Sequence, residues 1–113
     1  MTRWTEADLD EHEQAHLNAC RDLGIPYRIV GRKVGRETIP VIEGRIGSGR
    51  KGAEKGALAL YAGYLAGGGD DEGDRKDGLM LAREAGLSED ELRRRASKYV
   101  GPARRGFWAS LFG

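Results

Sequence analysis

The sequence predicts an α+β fold: an N-terminal helix, a β-hairpin, then a small bundle of two or three helices, all in one domain over residues 1–113. Three observations predict it. Leu9, His12, His16, Cys20 and Leu23 recur at steps of three and four, the spacing of one helix face. Residues 27–30 and 38–42 are short β-prone runs flanking a turn with Gly31 and Gly35. From Ala53 onward the apolar residues return to helical spacing, and 113 residues is the length of one ordinary domain.

Each element has its own punctuation. Thr5 can cap the first helix, with Asp8 three residues on as capping-box partner; Gly24 is a left-handed stop and Pro26 bars continuation. Pro40 lacks an amide donor, which makes the second strand an edge or bulged strand. A glycine-rich basic loop, 44–52, leads into a helix over 53–65. Small residues there (Gly56, Ala57, Ala59, Ala62, Gly63) allow close backbone approach. Leu58, Tyr61 and Leu65 form one apolar line and Leu60 with Tyr64 another, so this helix should be the central one. Residues 67–77 read as an acidic loop, 79–85 as a short helix stopped by Gly86, and Ser88 with Glu91 as a capping box for a last helix to about Tyr99. Phe107, Trp108, Leu111 and Phe112 follow helical spacing and are expected to fold back onto the core.

Composition narrows the function classes. Cys20 is the single cysteine, so an intrachain disulfide and a four-cysteine zinc site are both excluded. The acidic start resembles no secretory signal, and the longest nearly apolar run, 57–66, is about half a membrane span. A soluble, cytoplasmic protein with no membrane partner is expected. Net charge is only +1, yet the charges fall in alternating acidic and basic blocks, a pattern that can give a fold one acidic and one basic face.

One motif carries catalytic chemistry. His12-Glu13-Gln14-Ala15-His16 fits H-E-x-x-H and so resembles the zincin metallopeptidases over five residues. That resemblance implies zinc held by His12 and His16, with Glu13 as general base on water. With no third histidine, a carboxylate such as Glu37 or Glu43 would complete the ligand set. The alternative is two histidines on a packing stripe with no metal and no catalytic residue. The order of helix, Gly24-Ile25-Pro26-Tyr27 and two strands is also similar to the opening of small phage-type restriction-fold nucleases. Their Glu-x-Lys is here Glu43-Gly44-Arg45, and no aspartate lies between Asp22 and Asp70 to complete a metal site.

The loop with Arg45, Arg50, Lys51 and Lys55 suits phosphate, because glycine amides and a helix start can act together on an oxyanion. Gly49 is followed by Arg50, Lys51 and Gly52 rather than Lys-Ser/Thr, which argues against nucleotide hydrolysis. Ala82, Gly86, Leu87 and Leu92 lie near helix-turn-helix spacing, but Glu89, Asp90 and Glu91 would repel DNA at the recognition position; Arg93 and Arg94 lie further along. On sequence alone the expectation is a small non-enzymatic binding protein. Its partner would be nucleic acid or a nucleic-acid-bound protein complex, engaged through Arg45, Arg50, Lys51, Lys55, Arg93 and Arg94, as in an accessory or inhibitor protein of a mobile element. The competing expectation is a small zinc-dependent hydrolase or peptidase using His12, Glu13 and His16.

Overall fold

The structure, a computed structural model, describes residues 4–67 and 72–101. Its elements are α1 (Glu11–Leu23), β1 (Tyr27–Val34), β2 (Glu37–Gly44), α2 (Gly49–Ala66), α3 (Glu72–Ala85) and α4 (Glu89–Ala96), with short 3-10 turns at Glu6–Asp8 and Ser97–Tyr99. This is the expected α+β order. No helix among the described residues is long and apolar enough to cross a membrane. The expected packing of Phe107, Trp108, Leu111 and Phe112 lies outside the described residues.

The first helix starts later than its sequence suggests. The Asp8 carboxylate accepts from the Thr5 amide at 2.7 Å and closes the 3-10 turn, while Asp10 caps α1 by accepting from the Glu13 amide at 2.8 Å. Two acceptors compete for one helix start, and the nearer one to the apolar stripe prevails. Gly24 ends α1 in the left-handed region at φ 70°, as expected. Both strands are longer than the β-prone runs, pairing antiparallel from Tyr27 opposite Gly44 to Val34 opposite Glu37 without a bulge. The extension is polar and exposed, so backbone pairing rather than burial carries it.

The larger correction concerns residues 67–77. Their acidic and glycine-rich composition reads as loop, yet Glu72 onward is helical and α3 begins seven residues before the expected Leu79. Acids in the first turn suit the positive end of a helix. Packing supplies the rest: Gly78, Ala82 and Ala85 are buried, and a Cβ on Gly78 would stand 3.4 Å from the Ala57 carbonyl oxygen. Likewise α2 begins at Gly49 rather than Ala53.

Helix α2 is the centre of the molecule, as its small and apolar residues predicted. Ala57, Tyr61, Ala62 and Leu65 are fully buried, and α1, α3 and α4 all pack on it. Leu17 and Ala19 from α1, Ala82 from α3, and Leu92 and Ala96 from α4 complete the core with Tyr99 and Val100. The hairpin lies to the side and reaches the core through Ile42.

Candidate metal centre

The H-E-x-x-H segment occupies the first turns of α1, so His12, Glu13 and His16 project from neighbouring positions toward α2 and β2. A third element completes the group. Asp74, in the first turn of α3, places Oδ2 2.9 Å from His16 Nε2 and 3.0 Å from His12 Nε2. The two imidazole Nε2 atoms are 3.1 Å apart. The anticipated carboxylates are elsewhere. Glu43 is paired with Arg28 at 2.6 Å, and Glu37 is exposed at the turn end of β2. Asp74 holds the position because α3 extends over α2, where an acidic loop had been expected.

Backbone groups set the orientation of two of these side chains. His16 Nδ1 donates to the Ala59 carbonyl at 2.8 Å, which fixes the ring and leaves Nε2 as the nitrogen with a lone pair. Glu13 is 8% exposed, and its Oε1 accepts from the Ile42 amide at 2.7 Å. Its Oε2 lies 3.6 Å from His12 Nε2, beside the triangle of donor atoms. Because the Ile42 amide turns away from β1 to meet Glu13, the parity of an unbulged ladder puts the nitrogen of Pro40 on that same outer edge. Pro40 therefore removes no bond from the hairpin, in keeping with the edge strand expected of it.

The space for the triangle comes from α2. A Cβ on Gly63 would overlap the His16 ring and stand 2.8 Å from Asp74 Oδ2. Any larger residue would separate α1 from α3 at the point where their side chains meet. Gly67 plays a lesser part, with a Cβ there 3.3 Å from His12 Nδ1.

Protons leave one edge of this arrangement unfavourable. Each Nε2 has one in-plane position, filled by a proton or a lone pair. Protons on both nitrogens serve the two contacts to Asp74 but set N–H against N–H across the 3.1 Å edge. A proton on only one leaves a lone pair facing the carboxylate. A single cation satisfies all three atoms together. Tetrahedral ligands at roughly 2.0–2.1 Å from zinc are about 3.3 Å from one another, close to the triangle seen here. Burial favours the neutral carboxyl of Asp74, but the two facing imidazoles outweigh it and hold the carboxyl well below the usual range. Ligating histidines must be neutral, so a cation would displace the imidazole protons that hold this carboxyl down.

The centre opens into a cavity of about 180 Å³ whose walls include Cys20, Ile42, Ile46, Leu60 and Arg32. Cys20 is buried, which pushes its thiol up to about 11 and keeps it protonated at neutral pH.

The basic residues singled out in the sequence are not gathered in one place. Arg50 donates through Nε to the Ala85 carbonyl at 3.1 Å, at the end of α3. Arg93 lies over the Tyr61 ring and 3.6 Å from Glu89, and Arg94 pairs with Glu91. Arg45, Lys51 and Lys55 are exposed, with no ion pair among the described residues. Comparison with protein-family models, curated proteins and solved structures finds no match to this chain, so the centre has to be read from its own residues.

Proposed function

We propose that this chain is a small metal-dependent hydrolase, with His12, His16 and Asp74 as ligands of a divalent cation and Glu13 as general base. The observation that carries the reading is the triangle of two imidazole nitrogens and one carboxylate oxygen, whose spacing matches that of ligands around one cation. The sequence by itself leans toward a non-enzymatic binding protein; the third ligand from α3 shifts the balance.

The bound cation would supply Lewis-acid activation of water and of the scissile carbonyl. The chain's residues divide the rest. His16, braced on the Ala59 carbonyl, and Asp74 fix the ligand geometry. Glu13, anchored through Oε1 to the Ile42 amide, keeps Oε2 toward the centre, where it can take a proton from the attacking water. Attack forms the new carbon–oxygen bond; the carbon–nitrogen or carbon–oxygen bond to the leaving group then breaks, and Glu13 returns the proton to that group.

Elemental analysis after mild purification should find about one zinc per chain, lost in His16→Ala and in Asp74→Ala. Glu13→Gln should retain the metal and lose turnover of small amide and ester substrates. Retained turnover would leave the metal a structural role only, and absence of metal from the wild type would end the proposal.

A second reading keeps the nucleic-acid partner in a narrower form. Exposed Arg45, Lys51 and Lys55 support polyanion contact, whereas Arg50, Arg93 and Arg94 have partners within the fold. A salt titration against short duplexes tests it: the log–log slope should be near −0.9 per phosphate neutralised, and should flatten in Lys51→Ala/Lys55→Ala. No binding at low salt would remove this reading.

A further inference from the structure

We infer that Arg32 holds an anionic group of the substrate, so that the reaction takes a small amide or ester bearing a carboxylate next to an aliphatic segment. The inference rests on the metal-centre reading above and deepens it. The cavity at the centre, about 180 Å³, is smaller than the roughly 300–1,000 Å³ of pockets that take drug-sized ligands, so a small molecule fits it best. Its aliphatic wall includes Ile25, Ile42, Ile46 and Leu60, and among the described residues Arg32 is the one lysine or arginine that lines it.

Charge bookkeeping gives Arg32 its role. Asp74 and Glu13 together offset a divalent cation, so the centre itself would be close to neutral. Arg32 then leaves the cavity with an excess positive charge that an anionic substrate completes. Its neighbours on the fold are committed otherwise: Arg28, four residues earlier on the same face of β1, pairs with Glu43, and Arg21 pairs with Glu6. Among the described residues no carboxylate pairs with Arg32. A guanidinium fork also matches a carboxylate in two parallel hydrogen bonds, which fixes the substrate's direction relative to the metal.

The test uses the whole chain loaded with Co²⁺, whose visible absorption reports occupancy of the centre. Acetohydroxamate and succinic acid monohydroxamate share a metal-binding head and differ by a carboxylate arm. The wild type should bind the succinyl probe about tenfold more tightly or better, the worth of one charge-assisted hydrogen bond. Arg32→Ala and Arg32→Gln should both remove that advantage and leave Co²⁺ affinity unchanged, while Arg32→Lys should keep part of it. Equal binding of the two probes to wild type would overturn the inference and leave the centre standing. An advantage that survives in both neutral variants would do the same. No Co²⁺ spectrum from the wild type would overturn the centre, and the inference with it.

Discussion

Two polar clusters lean on α2, and they draw on adjacent residues of α3: Asp74 enters one and Arg75 the other. In the second, Glu89 accepts from the Tyr61 hydroxyl at 2.7 Å and from Arg75 through Nε at 3.0 Å and Nη2 at 3.1 Å, with Arg93 stacked over the Tyr61 ring. Each contact to Glu89 pairs a donor with a carboxylate oxygen, so Glu89 ties α2, α3 and α4 together. In the first, two imidazole nitrogens and a carboxylate oxygen converge at 2.9–3.1 Å, close to the spacing of ligands around one ion. The second cluster braces three helices; the first, on the reading proposed above, would hold a cation.

The most severe break of this comparison is metal removal. If the centre binds zinc, saturating metal should stabilise the fold by about 4 kcal/mol at 1,000 times the dissociation constant. A thermal melt with and without chelator measures this, and Asp74→Ala should abolish the difference. An equal melting temperature in both conditions would place the first cluster with the second, as a brace.

Next comes Gly63→Ala. The added methyl meets the His16 ring and Asp74 Oδ2, so zinc affinity should fall at least tenfold, with about 1–3 kcal/mol of overpacking strain. Gly78→Ala is the control on the facing helix, since its Cβ would meet neighbours only at 3.4 Å and beyond. Competition against a chromophoric chelator reads both.

Glu89→Gln should destabilise the fold by roughly 1–3 kcal/mol and leave zinc affinity untouched, because it disturbs only the second cluster. Its pH dependence has a defined sign. Burial favours the neutral form of Glu89, but the Tyr61 hydrogen bond and Arg75 outweigh it and lower its pKa below the ordinary 4.5. That stabilisation is therefore complete above about pH 4.5 and is lost as pH falls through the depressed value. Acid denaturation of wild type and Glu89→Gln should converge at low pH.

The smallest effect concerns Cys20. With a thiol raised from 9.0 to about 11, its contribution is complete below pH 9 and lost as pH rises toward 11. Cys20→Ala should flatten the alkaline fall in stability over that window, and the wild-type thiol should react slowly with a thiol reagent at neutral pH.

Three of the four residues of the centre were legible in the sequence. His12, Glu13 and His16 announce themselves because a ligand pair at i and i+4 is local, and local spacing survives in one dimension. Asp74 was hidden because nothing local separates it from its acidic neighbours. It lies 58 residues from His16, in a stretch whose composition reads as loop. Two faint signals could have found it. Asp74, Gly78, Ala82 and Ala85 follow at steps of four, four and three, a stripe of small residues with one acid at its head. On α2, Gly63 and Gly67 are four apart and offer room rather than contacts. The fold was easier to read because caps, stops and apolar periodicity are themselves local. It went astray in the polar extensions of the strands and in α3, where tertiary packing overrides composition.

The distance along the chain between His16 and Asp74 also fixes when the centre can form. A cation bound by His12 and His16 alone is held by a local pair that any nascent first helix can present. The third ligand arrives only after the hairpin has been traversed and α3 has docked across α2, closing a loop of 58 residues. On the proposed reading, tight chelation would thus be a late event in folding. In a refolding experiment, the rate of high-affinity zinc capture should follow the docking of α3 and lag behind the appearance of helical signal. The metal would act as a latch on the finished molecule, with its dissociation rate a clock for the reopening of the α1–α3 junction.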